Sequence, residues 1–398
     1  MLMTLPLDNI VVLDISRILA GPYCTMMLGD LGAEVIKVER PGAGDDTRTW
    51  GPPFAGGESA YYLSLNRNKR SLTLNLAHPE GQKIGQELAC RSDILVENFA
   101  PGVAEKLGLG WDELRRTNPR LIYCSITGYG PDGPYRDRTG YDMVVSAVGG
   151  LMGITGDEDG DPVKVGVAIT DVITGTMAQG AIMAALYQRE KTGLGQRIDV
   201  SLLETQVAAL ANIASNYLVA GQEARRWGTA HESIVPYQAF KAKDDYITVA
   251  AANDKLWLRL CKVLNRPDLA ENPRYASNAL RVQHRKELVP ILAEKFKQKT
   301  RAEWMESLVA EGIPCGPINS MESLFNDPQV LHRHMVEVVD HPTIGKLKLV
   351  GIPVKYSEAK PRIRRPPPLL GEHTEEILRE FLSLSGDEIR RLKEQQVV

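Results

Sequence analysis

Through the first half of the chain, short unbroken apolar runs alternate with longer segments of helical period. Ile10 to Ser16, Ala33 to Glu39, Ile94 to Glu97 and Leu121 to Ile126 are runs of the first kind, which predicts strands buried on both faces. Between them the pattern predicts helices from Tyr23 to Leu31, opened by Gly21 and Pro22, from Pro79 to Arg91, near Val103, and from Trp111 to Thr117. Strand, helix and strand in such short order predict βαβ units, a parallel sheet and right-handed crossovers. The predicted class is α/β.

The stretch Val172 to Leu186 has no polar face, with Gly175, Ala178, Gly180, Ala181, Ala184 and Ala185 spread around the helical circumference. A helix apolar on all sides predicts an interior position. Lys191, Thr192 and Gly193 close it, a cation near the negative end of the dipole and a glycine just past the end. Asp171 stands at its opening. One reading of Asp171 is an N-cap that satisfies an orphan N–H. The other is chemical: a carboxylate kept ionised by the positive helix end attacks an activated acyl group without a base to deprotonate it.

Gln196 to Leu203 predicts another strand, and Glu204 to Val219 an alanine-rich helix. The texture then changes. Gly221 to Pro236 is polar and irregular, as a linker would be. Tyr237 to Phe240 and Tyr246 to Ala250 predict a hairpin around Asp244 and Asp245, followed by helices over Lys255 to Leu264, Lys286 to Lys297 and Ala302 to Glu311. A second, smaller α+β domain fits this order. Beyond it come short strands, including Lys346 to Val350, an extended Pro366 to Pro368 segment, and a charged helix from Thr374.

At 398 residues the length calls for two or three domains. A net charge of −3 gives no overall basic field for nucleic acid. The five cysteines are scattered and odd in number, which fits reduced thiols and a cytoplasmic setting. No uninterrupted apolar run of about 18 residues and no charged-then-apolar leader are seen, so neither a membrane span nor export is expected. His332, His334 and His341 lack companions at ligand spacing, and no metal is expected.

Ligands in open α/β sheets settle at the carboxyl ends of the strands. Here those loops are Arg17 to Ala20, Arg40 to Trp50, Asn98 to Gly102 and Gly128 to Asp142. They carry no G-x-G-x-x-G and no P-loop, which disfavours the common NAD and ATP enzymes. A cationic series, Arg17, Arg40, Arg48, Lys69, Arg70, Lys106 and Arg138, falls on or near them. It is either solvated surface charge or, if the fold gathers it, a seat for a polyphosphorylated ligand.

Ala20-Gly21-Pro22, Leu31 to Glu39, Gly44-Asp45, Asn66 to Arg70, Val96 to Phe99, Gly128-Tyr129-Gly130, Asp171, Lys191 to Gly193, Gly312 to Pro317 and Pro368 to Thr374 together resemble the family III CoA-transferases. The resemblance is colinear from end to end. It implies a Rossmann-like large domain, a smaller α+β domain, and an open-ring chain that interlocks with a second copy as a homodimer. The implied division is 1–205 with 345–398 as the CoA-binding domain, 206–236 as linker, 237–330 as the small domain and 331–344 as a return linker. It further implies Asp171 as the catalytic residue, and Ala20, Arg40, Leu74, Asn98, Phe99 and Lys106 as CoA-binding positions.

CoA and acyl-CoA are then substrates, with no permanently bound cofactor, no metal, no nucleic acid and no membrane partner. Leu19 replaces the glutamine of formyl-CoA transferases, and their glycine-rich substrate loop is missing between Trp227 and Pro236, so oxalate with formyl-CoA is disfavoured. The segments Glu39 to Phe54 and Arg226 to Phe240 look most like the branch acting on succinyl-CoA and glutarate. Arg48, Trp50, Tyr141, His231 and Ser233 are its candidate substrate residues, with a dicarboxylate as the acceptor class.

The transfer expected of this family runs through an aspartyl anhydride and an aspartyl-CoA thioester, with oxyanion donors sought near Asn98, Gly128 and Gly228. One rival is the 2-methylacyl-CoA racemase of the same superfamily, which deploys a histidine where this chain has Tyr141 and a glutamate where it has Asn253. Those replacements leave no pair of bases. A catalytically silent CoA-binding protein is the other alternative.

Overall fold

The computed structural model of the chain describes residues 5–398. They form two compact units, one holding the chain through Leu151, Val165–Ala220 and Pro328–Val398, the other Met152–Lys164 and Gly221–Asp327.

In the first unit β1 (Val11–Asp14), β2 (Glu34–Glu39), β3 (Lys69–Thr73), β4 (Ile94–Glu97), β5 (Ile122–Thr127) and β6 (Arg197–Ser201) make one sheet in the order β3-β2-β1-β4-β5-β6. All neighbouring strands run parallel. This is the order of the doubly wound nucleotide-binding folds, whose switch point lies between β1 and β4. The longer helices of this unit are α1 (Ala20–Asp30), α2 (Pro79–Cys90), α3 (Trp111–Thr117), α4 (Asp142–Val148), α5 (Ile169–Thr192), α6 (Leu202–Ala209) and α7 (Ala211–Ala220), then Thr374–Leu382 and Gly386–Glu394 at the end of the chain.

Successive residues of a strand point to opposite faces, and the core divides accordingly. Leu13, Ile36, Leu95 and Tyr123 join Ile84 and Leu88 of α2 and the C-terminal Ile377, Leu378 and Leu392. Val12, Val35, Ile94 and Cys124 join Cys24 and Leu28 of α1 and Ala178, Ile182 and Ala185 of α5. A sheet covered on both sides explains the unbroken apolar runs.

Strand β3 was not foreseen, because Lys-Arg-Ser-Leu-Thr reads as polar. Lys69 is nevertheless fully buried, its ammonium 3.0 Å from Asp14 on β1. The outer edge of β3 is covered by the C-terminal strap: Asn68 N donates to Arg365 O, His373 N to Ser71 O, and Thr73 N to Thr374 Oγ1. The three consecutive prolines hold that strap extended.

Helix α5 differs from its expectation in two ways. It is buried on one face only, through Thr170, Thr174, Gly175, Ala178, Ile182 and Ala185, while Met177 and Tyr187 on the other face are 43% and 67% exposed. It is also the one helix among the described residues that is long and apolar enough to cross a membrane, against the expectation that no such stretch occurs. Its alanines and glycines supply that apolarity, and they also permit close packing. A Cβ on Gly175 would lie 2.5 Å from Ala20 O, so only glycine lets α1 and α5 approach this closely. The helix ends at Gly193 in the left-handed region, as the sequence indicates.

The second unit has an antiparallel sheet of Tyr237–Lys241, Tyr246–Ala250 and Cys315–Pro317. Helices Asp254–Val263, Arg285–Phe296 and Arg301–Ala310 pack on it through Trp257, Phe296, Trp304 and Leu308. The hairpin was legible; the third strand, Cys-Gly-Pro, carries no strand signal.

Candidate active site

The carboxyl ends of β1, β4 and β5 open into two cavities of the first unit that share Arg17 and Phe99. One, of about 220 Å³, is lined by Ser16, Lys37, Arg40, Leu74 and Leu107 among others. The other, of about 310 Å³, is lined by Ala20, Asn98, Arg138, Tyr141 and Asp171 among others. Adjoining at those two residues, the cavities make up the groove at the strand ends. Asp171 lines the second cavity and Arg40 the first.

Asp171 is not the N-cap of its helix. Ala168 holds that place, Asp171 is the third helical residue, and the cap bond comes from outside: Asp142 Oδ1 accepts the Thr170 N–H at 2.9 Å. Beneath it lies a buried polar cluster in which Thr170 donates to Gln206 and pairs with Ser146, and Thr174 pairs with Thr205. These bonds fix the first turn of α5, and with it Asp171. Burial and the charge of Asp142 push the Asp171 carboxyl up to about 7, where the helix dipole alone led to a fully ionised group.

Tyr61 is a neighbour that sequence reasoning missed. Burial and the charges of Asp171, Asp142 and Asp45 lift its hydroxyl to about 12, so it stays a protonated donor near Asp171. Trp50 stacks edge-on against it, ring centroids 5.1 Å apart.

The cationic series resolves into three groups. Arg17, Arg40 and Arg138 line the groove. Asp46 bridges Arg17 and Arg40, at 3.0 Å and 2.6 Å. Lys69, Arg70 and Arg48 are instead consumed by buried pairing. Arg48 donates from Nε to Glu39, from Nη1 to Glu58, and from Nη2 to Glu39, Tyr62 and Pro368 O, so the structure sets it under the groove and does not present it to a substrate. Lys106 is exposed at the end of the short helix Val103–Lys106, and neighbouring Leu107 lines the groove. Arg136, beside the Asp171 cavity, was not singled out from the sequence.

A buried ionic network underlies the loop after β1. Lys37 Nζ sits 2.9 Å from Asp45 and donates to Ser16 O, and Asp45 accepts the N–H groups of Ile18 and Thr47. Burial would raise the Asp45 carboxyl, but Lys37 and the Thr47 bonds hold it down at about 2. Asn98 completes the loop, accepting Arg17 N at 2.8 Å and donating to Arg17 O at 2.7 Å.

His231 and Ser233 belong to the second unit. His231 Nδ1 accepts the Ser233 N–H at 3.0 Å, and Ser233 O accepts from Asn278. Among the described residues no group of three or more His, Cys, Asp or Glu could hold a metal ion.

The model of CoA-transferase family III matches residues 7–374. The human succinyl-CoA:glutarate CoA-transferase is 55% identical over 393 residues, covering 99% of this chain and 90% of that protein. The succinate–glutarate CoA-transferase of Agrobacterium fabrum is 42% identical, over 94% of this chain and 96% of its own. The crystal structure of a CAIB/BAIF family protein from Brucella suis superposes with a TM-score of 0.85 at 41% identity, covering 95% of this chain and all of that one. With the family model and relatives matched over nearly the whole chain, this chain belongs to CoA-transferase family III and is an enzyme of that class.

Proposed function

We propose that this enzyme moves CoA from succinyl-CoA to a free dicarboxylate such as glutarate, with Asp171 as the covalent nucleophile. The observation that carries the reading is the groove itself. Asp171 lines one of its two cavities, and Arg40 and Leu74, at positions where the family binds CoA, line the other.

The Asp171 carboxylate attacks the donor thioester carbonyl, the C–S bond breaks, and an aspartyl anhydride and CoA thiolate result. The thiolate then adds to the aspartyl carbonyl and the donor acid leaves, giving an aspartyl-CoA thioester. The acceptor carboxylate attacks that thioester, and the released thiolate takes the acceptor acyl group and frees Asp171. A carboxylate raised towards 7 is a stronger nucleophile than one of ordinary pKa near about 4, and a thiol near about 8.5 is a tolerable leaving group. Tyr61 and the main-chain N–H groups of the loops near Asn98 and Gly128 are the donors we assign to the tetrahedral oxyanions. Among the groove cations, Arg136 and Arg138 are those we assign to the acceptor's distal carboxylate.

The assembly we propose is a homodimer. Met143 and Val148 of α4, Met177 and Tyr187 of α5, and Leu218 and Val219 of α7 are all exposed apolar residues of the first unit, more than a lone chain usually leaves to water. A second copy covering them would also bring its own loops to the groove. Trp50 and Tyr141 are in this reading the further contacts to the acyl groups.

The test is to incubate the protein with succinyl-CoA and a panel of free acids (glutarate, oxalate, itaconate, citramalate, carnitine) and to read CoA esters by mass spectrometry. A glutaryl or other dicarboxylyl ester is expected. No ester with any acid, together with deuterium uptake at the α-carbon of a 2-methylacyl-CoA, would overturn the reading in favour of the racemase.

A further inference from the structure

Phe99 is the shared wall of three cavities. Two are the halves of the groove. The third, of about 170 Å³, adjoins the Asp171 cavity along Phe99 to Pro101 and is lined by Glu97, Tyr123, Ser125, Arg136 and Arg197 among others. The Asn98 side chain anchors its own residue to Arg17, but it leaves the Phe99 peptide untied.

Glu97, the last residue of β4, supplies that tie. Its side chain is 4% exposed, and its Oε2 accepts the Phe99 N–H at 2.7 Å. Ser125, its register partner on β5, hydrogen-bonds the same carboxyl group. Burial lifts the Glu97 carboxyl to about 7, against the Ser125 and Phe99 bonds that lower it. An acid placed where desolvation opposes its charge is costly, and an apolar residue would fill the space more cheaply. Proposed chemistry at Asp171 makes no use of it.

We propose that Glu97 is a positioning residue for thioester binding: by fixing the Phe99 main chain it keeps the Phe99 ring as the partition between the groove and the third cavity. This rests on the CoA reading above. Without the carboxyl, the peptide loses its acceptor and Phe99 is free to shift towards the third cavity, so the groove loses a residue that lines both of its halves. Asp171, on another element, stays in place. The effect therefore falls on binding, not on turnover.

The experiment compares Glu97→Ala and Glu97→Gln in the full chain. The alanine variant is expected to raise KM for succinyl-CoA about tenfold with kcat within about threefold, as the loss of one hydrogen bond to a charged group would. Glutamine, which keeps an acceptor at the same reach, is expected to restore KM to within about twofold. Amide hydrogen exchange over residues 98–102 is expected to quicken in the alanine variant and not in the glutamine one. If Glu97→Ala does not fold, Glu97→Asp, shorter by one methylene, is expected to show the same rise in KM. An unchanged KM, or a fall in kcat at constant KM, or a glutamine variant as impaired as the alanine one, would overturn the proposal. Should the wild-type enzyme form no CoA ester with any acid, the CoA reading fails instead. The exchange measurement then still decides whether Glu97 holds the loop.

Discussion

Asp142 caps the helix on which Asp171 sits and repels the Asp171 carboxylate at the same time. The cap fixes where Asp171 is. The repulsion, added to burial, fixes when it is charged. One side chain thus sets both the position and the protonation of the candidate nucleophile, and the two can be separated by substitution.

In Asp142→Asn the amide oxygen still accepts the Thr170 N–H, but the negative charge is gone. The Asp171 carboxyl should fall towards its ordinary range, by about one unit, since a like charge disfavours ionisation. The acidic limb of the pH–rate profile for kcat should move to lower pH by the same amount. An unmoved limb would mean that burial alone raises Asp171.

Asp171→Ala should abolish transfer while CoA still binds, as read by calorimetry. Residual turnover above about a thousandth of wild type would argue against covalent catalysis at this position. Asp171→Asn should also change stability in a pH-dependent way. A carboxyl raised to about 7 in the folded state costs stability that is absent below the unfolded pKa near 4 and grows as pH rises through 7. The asparagine variant should therefore gain on wild type by about 4 kcal/mol at pH 8 and by little at pH 4.

Arg40 is half exposed and has Asp46 as its ion-pair partner. Arg40→Ala should raise KM for succinyl-CoA several-fold, with little change in kcat, and should weaken the salt dependence of CoA binding. A constant KM would place the phosphates elsewhere.

Arg48 and Lys37 lie inside the first unit, and their loss should be felt as stability. Arg48→Ala would leave Glu39 and Glu58 unpaired, at a cost of about 3 kcal/mol or more in denaturant unfolding. Lys37→Met would do the same to Asp45. Because Asp45 is held near 2, its contribution is complete above about pH 4 and is lost as pH falls towards 2. Wild type and Lys37→Met should thus differ most above pH 4 and converge near pH 2.

The parallel sheet could be read from the sequence, because its buried strands rest on local chemistry. Strands buried on both faces are unbroken apolar runs, and β1, β2, β4 and β5 announce themselves in that way. A glycine just beyond a helix marks its end, as Gly193 does. Strand β3 could not be read, since Lys69 and Arg70 are buried only because Asp14 and Glu34 arrive from other strands to pair with them. Nor could the division of the cations: Arg17, Arg40 and Arg138 reach the groove while Arg48 turns beneath it, and nothing in their spacing tells the two apart. The charge state of Asp171 was decided the same way. Its helix end could be foreseen, but the burial and the Asp142 carboxylate that oppose ionisation come from residues brought together only by the fold. Sequence determined the elements whose signal is local, because propensity and periodicity act between near neighbours. Tertiary structure decided what each charge does, because electrostatics depends on partners and on water, and folding sets both.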